Sequence, residues 1–404
     1  MASLIFVNRF FYPDHSATSQ LLTDLTVALV EQGWEVKVLT STQRYDEARA
    51  NLQKRDVYQG VQIVRLKGFT LGRSHLLGRA LDYLSFYLIA AWRLLWDVKS
   101  GDIVVFKTDP PMMSAFLWPF VRIKKAKYIN WLQDLFPEVA IALGIKGLKG
   151  PLAKLLFALR NSALRRAQTN ICLSQGMADR LGRLGVRQQA IEVIPNWTDV
   201  SAIRPVAVDK NPLRESWGLD SDFVLGYSGN MGRAHDFDAI IEAAKRLKSH
   251  SDIHFVFIGE GAAKQKLQQV KDTFGLQQLS FHGYQPRNML SQSLSVPDVH
   301  FISLRPELEG CIVPSKFYGV LAAGRVCLFI GDVEGGMSKQ IHEYGLGASV
   351  RPDDVQVLVD LILEMKSDRK ALLQMGNKAR TLAVSDYDFS VCLNRWQQTL
   401  SRFS

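Results

Sequence analysis

Cysteine is scarce in this chain of 404 residues: Cys172, Cys311, Cys327 and Cys392 stand far apart, with no CxxC pair. Such spacing excludes a disulfide framework or a zinc site and reads as reduced core thiols of a cytosolic protein. Long apolar runs are absent too. The most hydrophobic segment, Leu76 to Trp96, has an uncharged core of ten residues, Tyr83 to Trp92, where a membrane span needs roughly 18–20. No basic segment with an apolar core precedes the first strand-like run, Leu4 to Val7, so no signal peptide is expected. There is no GxGxxG, no DxD-like carboxylate pair closing a strand of the second half, no internal repeat and no basic nucleic-acid motif.

What is present is an ordinary globular composition, 47% apolar and 22% charged, long enough for two or three domains. Charge is placed unevenly. Residues 1–200 hold 26 Lys+Arg against 16 Asp+Glu, and residues 201–404 hold 23 of each. The whole excess of +10 therefore lies in the first half, which points to an acidic partner there: a membrane surface, a phosphorylated substrate or nucleic acid.

Along the first half, strand-like Leu4 to Val7 leads through the loop 8–18 into a helix, Gln20 to Gln32, and a strand, Glu35 to Thr40. Leu76 to Trp96 reads first as a buried core helix. The alternative is an interfacial helix, with Tyr83, Phe86, Tyr87, Trp92 and Trp96 at headgroup level. Arg122, Lys124, Lys125 and Lys127, interleaved with Trp118, Phe120 and Tyr128, form a basic cluster; Lys146, Lys149, Lys154, Arg160, Arg165 and Arg166 extend it. It is a solvated face or a membrane-facing patch. The strand Tyr128 to Leu132 runs into Gln133, Asp134 and Glu138. Either carboxylate there could orient an acceptor hydroxyl or take its proton, or Asp134 caps the following turn.

Residues 195–212 are polar and irregular and read as a linker. Beyond it, strand FVLGY precedes SGNMGRAH, whose glycines let backbone approach a ligand and whose Arg233 could neutralise a phosphate. The stretch 301–332 reads as strand, polar loop with Arg305, Glu307 and Glu309, a helix from Pro314 through Ala323, and strand. Such a unit opens at the carboxyl edge of a parallel sheet, and a helix start with Ser315 and Lys316 suits an anion such as a diphosphate. A single long helix is expected over 353–382 and a final one over Phe389 to Leu400.

Taken together, SGNMGRAHD, FIGEGA, FHGY, LEGCIVPSKFYGVLAAG and YDF, with FFYPDHSATSQLLTDL, WLQDLFPEVAIALG, ICLSQGMADRL and VIPNWTD, resemble the retaining, family 4-like nucleotide-sugar glycosyltransferases with the GT-B fold. The likeness is greatest to bacterial members that build lipid-linked surface polysaccharides. It implies an α/β chain of two Rossmann-like parallel-sheet domains facing across a cleft. Residues 1–200 would take the acceptor and face the membrane, 201–384 would hold the nucleotide sugar, and 385–404 would be a helix returning to the first domain.

The resemblance also implies roles. Arg233 falls on the diphosphate-binding arginine, Glu309 near the donor sugar, Pro314, Ser315 and Lys316 on the phosphate-facing helix start, and Gly283 with Tyr284 on the loop that meets the base. Gly229, Asn230 and Gly232 line the donor loop; Ser16, Ala17, Gln133 and Glu138 lie on the acceptor side. Arg233, Lys316, Glu309 and Asp134 are the catalytic candidates. Three departures stand out: Gly319 replaces a ribose-binding glutamate, Ser16-Ala17 replaces paired glycines, and Gln133 replaces a histidine. No metal or cofactor is expected beyond the nucleotide-sugar substrate. The expected partners are a glycan or lipid-linked acceptor and the inner face of the cytoplasmic membrane, with no nucleic acid. The competing readings are a nucleotide-sugar epimerase or hydrolase of the same fold, and a non-catalytic basic binding protein. Sugar, base, linkage and oligomeric state stay open.

Overall fold

The computed structural model describes residues 2–403 apart from 46, 48, 49, 51, 72–75, 146, 147 and 149. The chain divides into two units, 1–195 with 393–404, and 196–392. The sequence reading put these divisions at 200 and 385; the second instead falls inside the final helix.

The first unit runs β1 (Leu4–Val7), α1 (Ala17–Glu31), β2 (Val36–Ser41), β3 (Arg55–Tyr58), β4 (Val61–Leu66), α2 (Leu76–Asp97), β5 (Ile103–Phe106), α3 (Met113–Ile123), β6 (Lys127–Trp131), α4 (Glu138–Ala142), α5 (Gly150–Arg166), β7 (Thr169–Cys172), α6 (Gln175–Arg183) and β8 (Ile191–Val193). Its eight-stranded sheet has the order β3-β4-β2-β1-β5-β6-β7-β8. Strands such as LIFV and IVVF are buried along their whole length, as parallel strands covered on both faces must be.

The expectation of a purely parallel sheet needs one correction, because β3 runs antiparallel to β4. The two are joined by Gln59-Gly60, both at positive φ (46° and 82°). This is the tight turn whose twist matches a hairpin. Glutamine at its first position hides the usual Asn-Gly signal. Helix α2 also departs from the buried-core reading. Phe86, Ala90 and Leu94 bury one face against the sheet, while the opposite face is exposed.

The second unit runs α7 (Pro212–Ser216), β9 (Phe223–Ser228), α8 (Asp238–Arg246), β10 (Ile253–Ile258), α9 (Lys264–Phe274), β11 (Leu279–His282), α10 (Leu290–Leu294), β12 (Val299–Ser303), α11 (Lys316–Ala322), β13 (Val326–Ile330), α12 (Gly336–Glu343), β14 (Gly347–Val350), α13 (Val355–Ser367) and α14 (Arg369–Asp386), and α15 (Phe389–Ser401) starts in it and passes into the first unit at Leu393. Its six strands are all parallel, in the order β11-β10-β9-β12-β13-β14. The helix expected over 353–382 is two helices. Asp368 breaks it, its carboxylate accepting from the Ala371 N–H at 2.8 Å as the cap of α14.

The 195–212 stretch is not a free linker. From α14, the Arg380 guanidinium donates to the carbonyls of Val200 (2.8 Å) and Ile203 (2.7 Å), and Val206 N–H donates to Ser295 Oγ at 3.1 Å. The end of α15 belongs to the first unit. Trp396 meets Trp131 edge to face at 4.9 Å, Lys127 Nζ donates to the Phe403 carbonyl at 2.7 Å, and Arg402 pairs with Glu192 at 2.5 Å.

Candidate functional site

In the second unit the strand register decides which loops meet. Ser228 pairs with Ile258, and Ile258 with His282, so Gly229, Gly259 and Gly283 leave the sheet at one level on its carboxyl edge. Gly229 (φ +123°) and Gly259 (φ +130°) have left-handed backbones. A β-carbon on Gly259 would lie 2.3 Å from the Gly229 carbonyl oxygen and 3.3 Å from a ring carbon of Tyr284. The turns therefore pack backbone on backbone, fastened by Gly229 N–H to Ile258 O (2.8 Å) and Met231 N–H to Glu260 O (2.7 Å). Gly232 packs beside the Asn230 side chain. The Arg233 side chain is exposed and forms no ion pair among the described residues.

Lys316 is the centre of this arrangement. Its stem passes Gly229, where a β-carbon would sit 3.6 Å from Cε. Its ammonium donates to Tyr227 Oη at 2.7 Å and to His235 Nε2 at 3.1 Å, and lies 4.2 Å from the Tyr227 ring centroid. Tyr227 Oη in turn donates to the Asn230 carbonyl at 2.9 Å. His235 Nδ1 lies 2.5 Å from the Ser303 carbonyl, which assigns the proton to Nδ1 and leaves Nε2 as acceptor.

Burial, and then the Lys316 charge, pull the His235 pKa down to about 3 against the opposing Ser303 carbonyl. Histidine is thus neutral at working pH. Burial likewise pulls Lys316 down to about 7 and pushes Tyr227 up. The cation is held by neutral acceptors alone; among the described residues no carboxylate pairs with it. A cation so placed is electrostatically unfinished, and a bound anion would complete it.

The other expected donor residues fare differently. α11 has seven residues and begins at Lys316, because the Pro314 carbonyl accepts from Phe317 N–H at 3.1 Å in the turn before it. Pro314 therefore precedes the helix instead of opening it. Ser315 is exposed and makes no side-chain cap bond. Positive charge here comes from Lys316 itself more than from so short a helix. Glu309 is engaged elsewhere. Its Oε1 accepts from Gly336 N–H at 2.8 Å, and a β-carbon on Gly335 would lie 2.6 Å from its Cδ. The carboxylate supplies the cap that Gly335, at the N-terminus of α12, lacks. Burial raises its pKa, and the backbone donors of Gly336 and Met337 oppose that shift.

In the first unit the ends of β1, β5 and β6 share one edge through the register Val7↔Phe106↔Asn130. Ser16 is the N-cap of α1, its N–H donating to Asp14 Oδ1 at 2.8 Å, and Ala17 is the first helical residue, exposed. The residue that holds this helix start carries no local signal. Lys107, buried, donates from Nζ to the Thr18 carbonyl at 2.6 Å and sits 3.8 Å from the Trp131 ring centroid. Burial drives its pKa well down, opposed by Asp109 and Asp24.

Gln133 and Asp134 follow β6 and are half-buried. Asp134 lines a cavity of about 30 Å³ with Thr108, Asn130 and Arg160. Burial pushes its pKa up to about 6, Asp109 adds to this, and a Thr108 hydrogen bond opposes it. A carboxylic acid with that pKa is neutral in the fold at pH 5, where the unfolded chain is charged. Native stability conferred by this group is greatest below pH 4 and falls as pH rises through 6. Asp134→Asn is therefore expected to raise the melting temperature relative to wild type at pH 8 more than at pH 4. A pH series of thermal melts checks this.

Glu138 is committed to Arg160 (2.6 Å), with Arg180 at 3.9 Å, so it is a buried ion pair and not an open acid or base. Arg160 thereby leaves the expected basic patch; Lys146 and Lys149 lie outside the described residues. Gly319, on α11, faces Leu294 and offers no acceptor for a ribose. Tyr227 and His235 are the partners of Lys316 that sequence alone hid: a tyrosine inside FVLGYS reads as core, and its hydroxyl is invisible until the fold places it.

Comparison with known proteins gives the family. Residues 18–197 match the model of the glycosyl transferase 4-like domain, and residues 209–382 that of glycosyl transferases group 1. The putative colanic acid biosynthesis glycosyl transferase WcaI of Escherichia coli K12 is 25% identical, over 86% of this chain and 88% of its own. The probable glycosyltransferase WbjE of Pseudomonas aeruginosa is 23% identical, over 80% of each chain. HepE of Anabaena, solved in complex with UDP, shares the fold at a TM-score of 0.74 and 14% identity, covering 99% of this chain and 100% of that one. The two family matches together span both units, and the chain belongs to the glycosyltransferases with the GT-B fold.

Proposed function

We propose that this glycosyltransferase takes its sugar from a nucleoside-diphosphate donor, retains the anomeric configuration, and passes the sugar to a lipid-diphosphate-linked saccharide of surface polysaccharide synthesis at the inner face of the cytoplasmic membrane. The observation that carries the donor part is the Lys316 ammonium, cradled by Tyr227 Oη and His235 Nε2 beside Gly229 with no carboxylate partner among the described residues. As the sugar–oxygen bond breaks, charge grows on the departing diphosphate. Lys316 and the exposed Arg233 stabilise that charge, usually the largest catalytic contribution. This chemistry asks for no metal. The leaving phosphate itself helps take the acceptor proton on the front face, with Asp134, at a pKa of about 6, on the acceptor side. The named role of WcaI supports polysaccharide synthesis, and the excess of +10 in residues 1–200 suits an anionic surface on that side.

The test is a thermal-shift screen of UDP, GDP, dTDP and ADP and their sugars. UDP comes first because HepE binds it. A ligand that binds only the native state at 100 times its Kd adds roughly 2.7 kcal/mol, so one nucleotide is expected to raise the melting temperature. Arg233→Ala should remove most of that rise. No shift with any of the four would overturn the reading.

A further inference from the structure

Helix α2 presents an apolar stripe that the fold leaves uncovered. Leu77, Leu81, Leu84, Leu88, Trp92 and Trp96 recur every three or four residues on one face, and Leu77, Leu88, Trp92 and Trp96 are 81%, 64%, 61% and 68% exposed. The buried face already supplies what the core needs from this helix. Exposed apolar side chains occurring singly need no explanation; a continuous stripe along 22 residues does. At 1.5 Å per residue the stripe from Leu77 to Trp96 is about 30 Å long. No helix among the described residues is long and apolar enough to cross a membrane. An amphipathic helix of this kind lies in the plane of an interface.

Two further observations name the partner. Beside the stripe, α2 and α3 form an open groove of about 370 Å³ walled by Leu84, Tyr87, Leu88, Ala91, Phe116 and Phe120. Its lining is hydrocarbon in character and runs into the stripe. Around it basic charge predominates: on α2 itself Asp82 is buried and Asp97 is paired with Arg93 at 2.6 Å. From Pro110 to Gln133 there is no acidic residue but there are Arg122, Lys124, Lys125 and Lys127, and α5 adds Lys154, Arg165 and Arg166, again with no acid. Exposed Arg122, Lys125, Lys154, Arg165 and Arg166 would repel the same face of a second copy and attract a phosphate headgroup layer.

We infer that the α2–α3 face inserts into the headgroup boundary of an anionic bilayer and that its groove holds a hydrocarbon chain of one of the lipids. The inference deepens the membrane-side acceptor proposed above and rests on it for its setting. In that placement the paired tryptophans Trp92 and Trp96, ring centroids 5.7 Å apart, would sit at the level where indole is favoured. The bases of α3 and α5 would hold the headgroups.

The experiment uses the full chain and sedimented vesicles of phosphatidylglycerol with phosphatidylcholine, against phosphatidylcholine alone. The partition coefficient is expected to be at least tenfold larger on the anionic vesicles. Leu84 and Leu88 are on the surface, so L84E/L88E should keep the wild-type melting temperature and UDP shift, yet lose at least tenfold in partition. Lipids brominated along the acyl chain should quench tryptophan fluorescence of wild type and not of L84E/L88E. K124Q/K125Q should weaken binding mainly at low salt.

If L84E/L88E partitions like wild type, adsorption is electrostatic only and the groove assignment fails, while the donor site stands. If wild type is a dimer that L84E/L88E dissolves, the face is a self-association surface and the assignment fails as well. Absence of a thermal shift with every one of the four nucleotides in wild type would strike the donor reading and leave the vesicle result untouched.

Discussion

Lys316→Ala is expected to lower kcat/KM by about 10²–10³-fold, the range seen when one preorganised charge-stabilising donor is removed, and to abolish the donor thermal shift. The alanine leaves Tyr227 and His235 in place but neutral, so neither of them replaces the lost charge. The wild-type site should also be sensitive to pH. With its pKa pulled down to about 7, Lys316 is charged below neutrality and increasingly neutral above it. A diphosphate favours the charged form. Above pH 7 its binding must therefore take up a proton, and affinity should fall by up to about tenfold per pH unit. Titration calorimetry in buffers of different ionisation enthalpy reads both the affinity and the proton uptake. Affinity that stays flat from pH 7 to 9 would remove Lys316 from the donor's phosphates.

The same linkage bears on stability without ligand. Lys316 is charged in the unfolded chain up to the ordinary lysine range, and in the fold only to about pH 7. Below pH 7 both forms carry the proton and the burial cost is fully present; between those limits native stability rises with pH. Lys316→Met should accordingly melt higher than wild type at pH 6, with the gap closing as the pH climbs. A binding site that destabilises its own fold is an expected compromise between activity and stability.

The second large effect is expected at Gly259→Ala. The backbone there is at φ +130°, which a β-carbon disfavours, and that carbon would sit 2.3 Å from the Gly229 carbonyl oxygen. Backbone cannot yield as the end of a side chain can. The cost should be about 2–4 kcal/mol in urea unfolding, among the larger effects of single substitutions. The donor shift should fall with it, since the Gly229 turn must move. Gly218→Ala is the control: it also lies at positive φ (+69°) but has nothing within 4 Å. It is expected to cost only about 1 kcal/mol of backbone strain and to leave the donor shift intact.

Much of the site was legible because its signals are local. Glycines that end apolar runs, as in SGNMG, FIGEG and FHG, mark places where backbone turns sharply off a strand, and three of them do leave one sheet edge together. The arginine and lysine expected near an anion are on that unit. What stayed hidden was the destination of side chains. Glu309 looks from sequence like an acid beside the donor, yet the orphan N–H groups of α12 lie within its reach. Glu138 looks like an acid at a strand end, yet Arg160, twenty-two residues on, neutralises it. The β3–β4 hairpin escaped because its turn is Gln59-Gly60 and its outer strand alternates half-exposed.

By itself, the order of apolar runs, turn glycines and caps determined two α/β halves and the carboxyl edge at which chemistry would gather, because strand and helix periods are written in neighbouring residues. Tertiary structure alone decided that Lys316 hydrogen-bonds to Tyr227 and His235, eighty-nine and eighty-one residues away. It also decided which face of α2 meets the core and which meets solvent. Burial and pairing depend on what folding brings alongside a residue, and no window of sequence contains that.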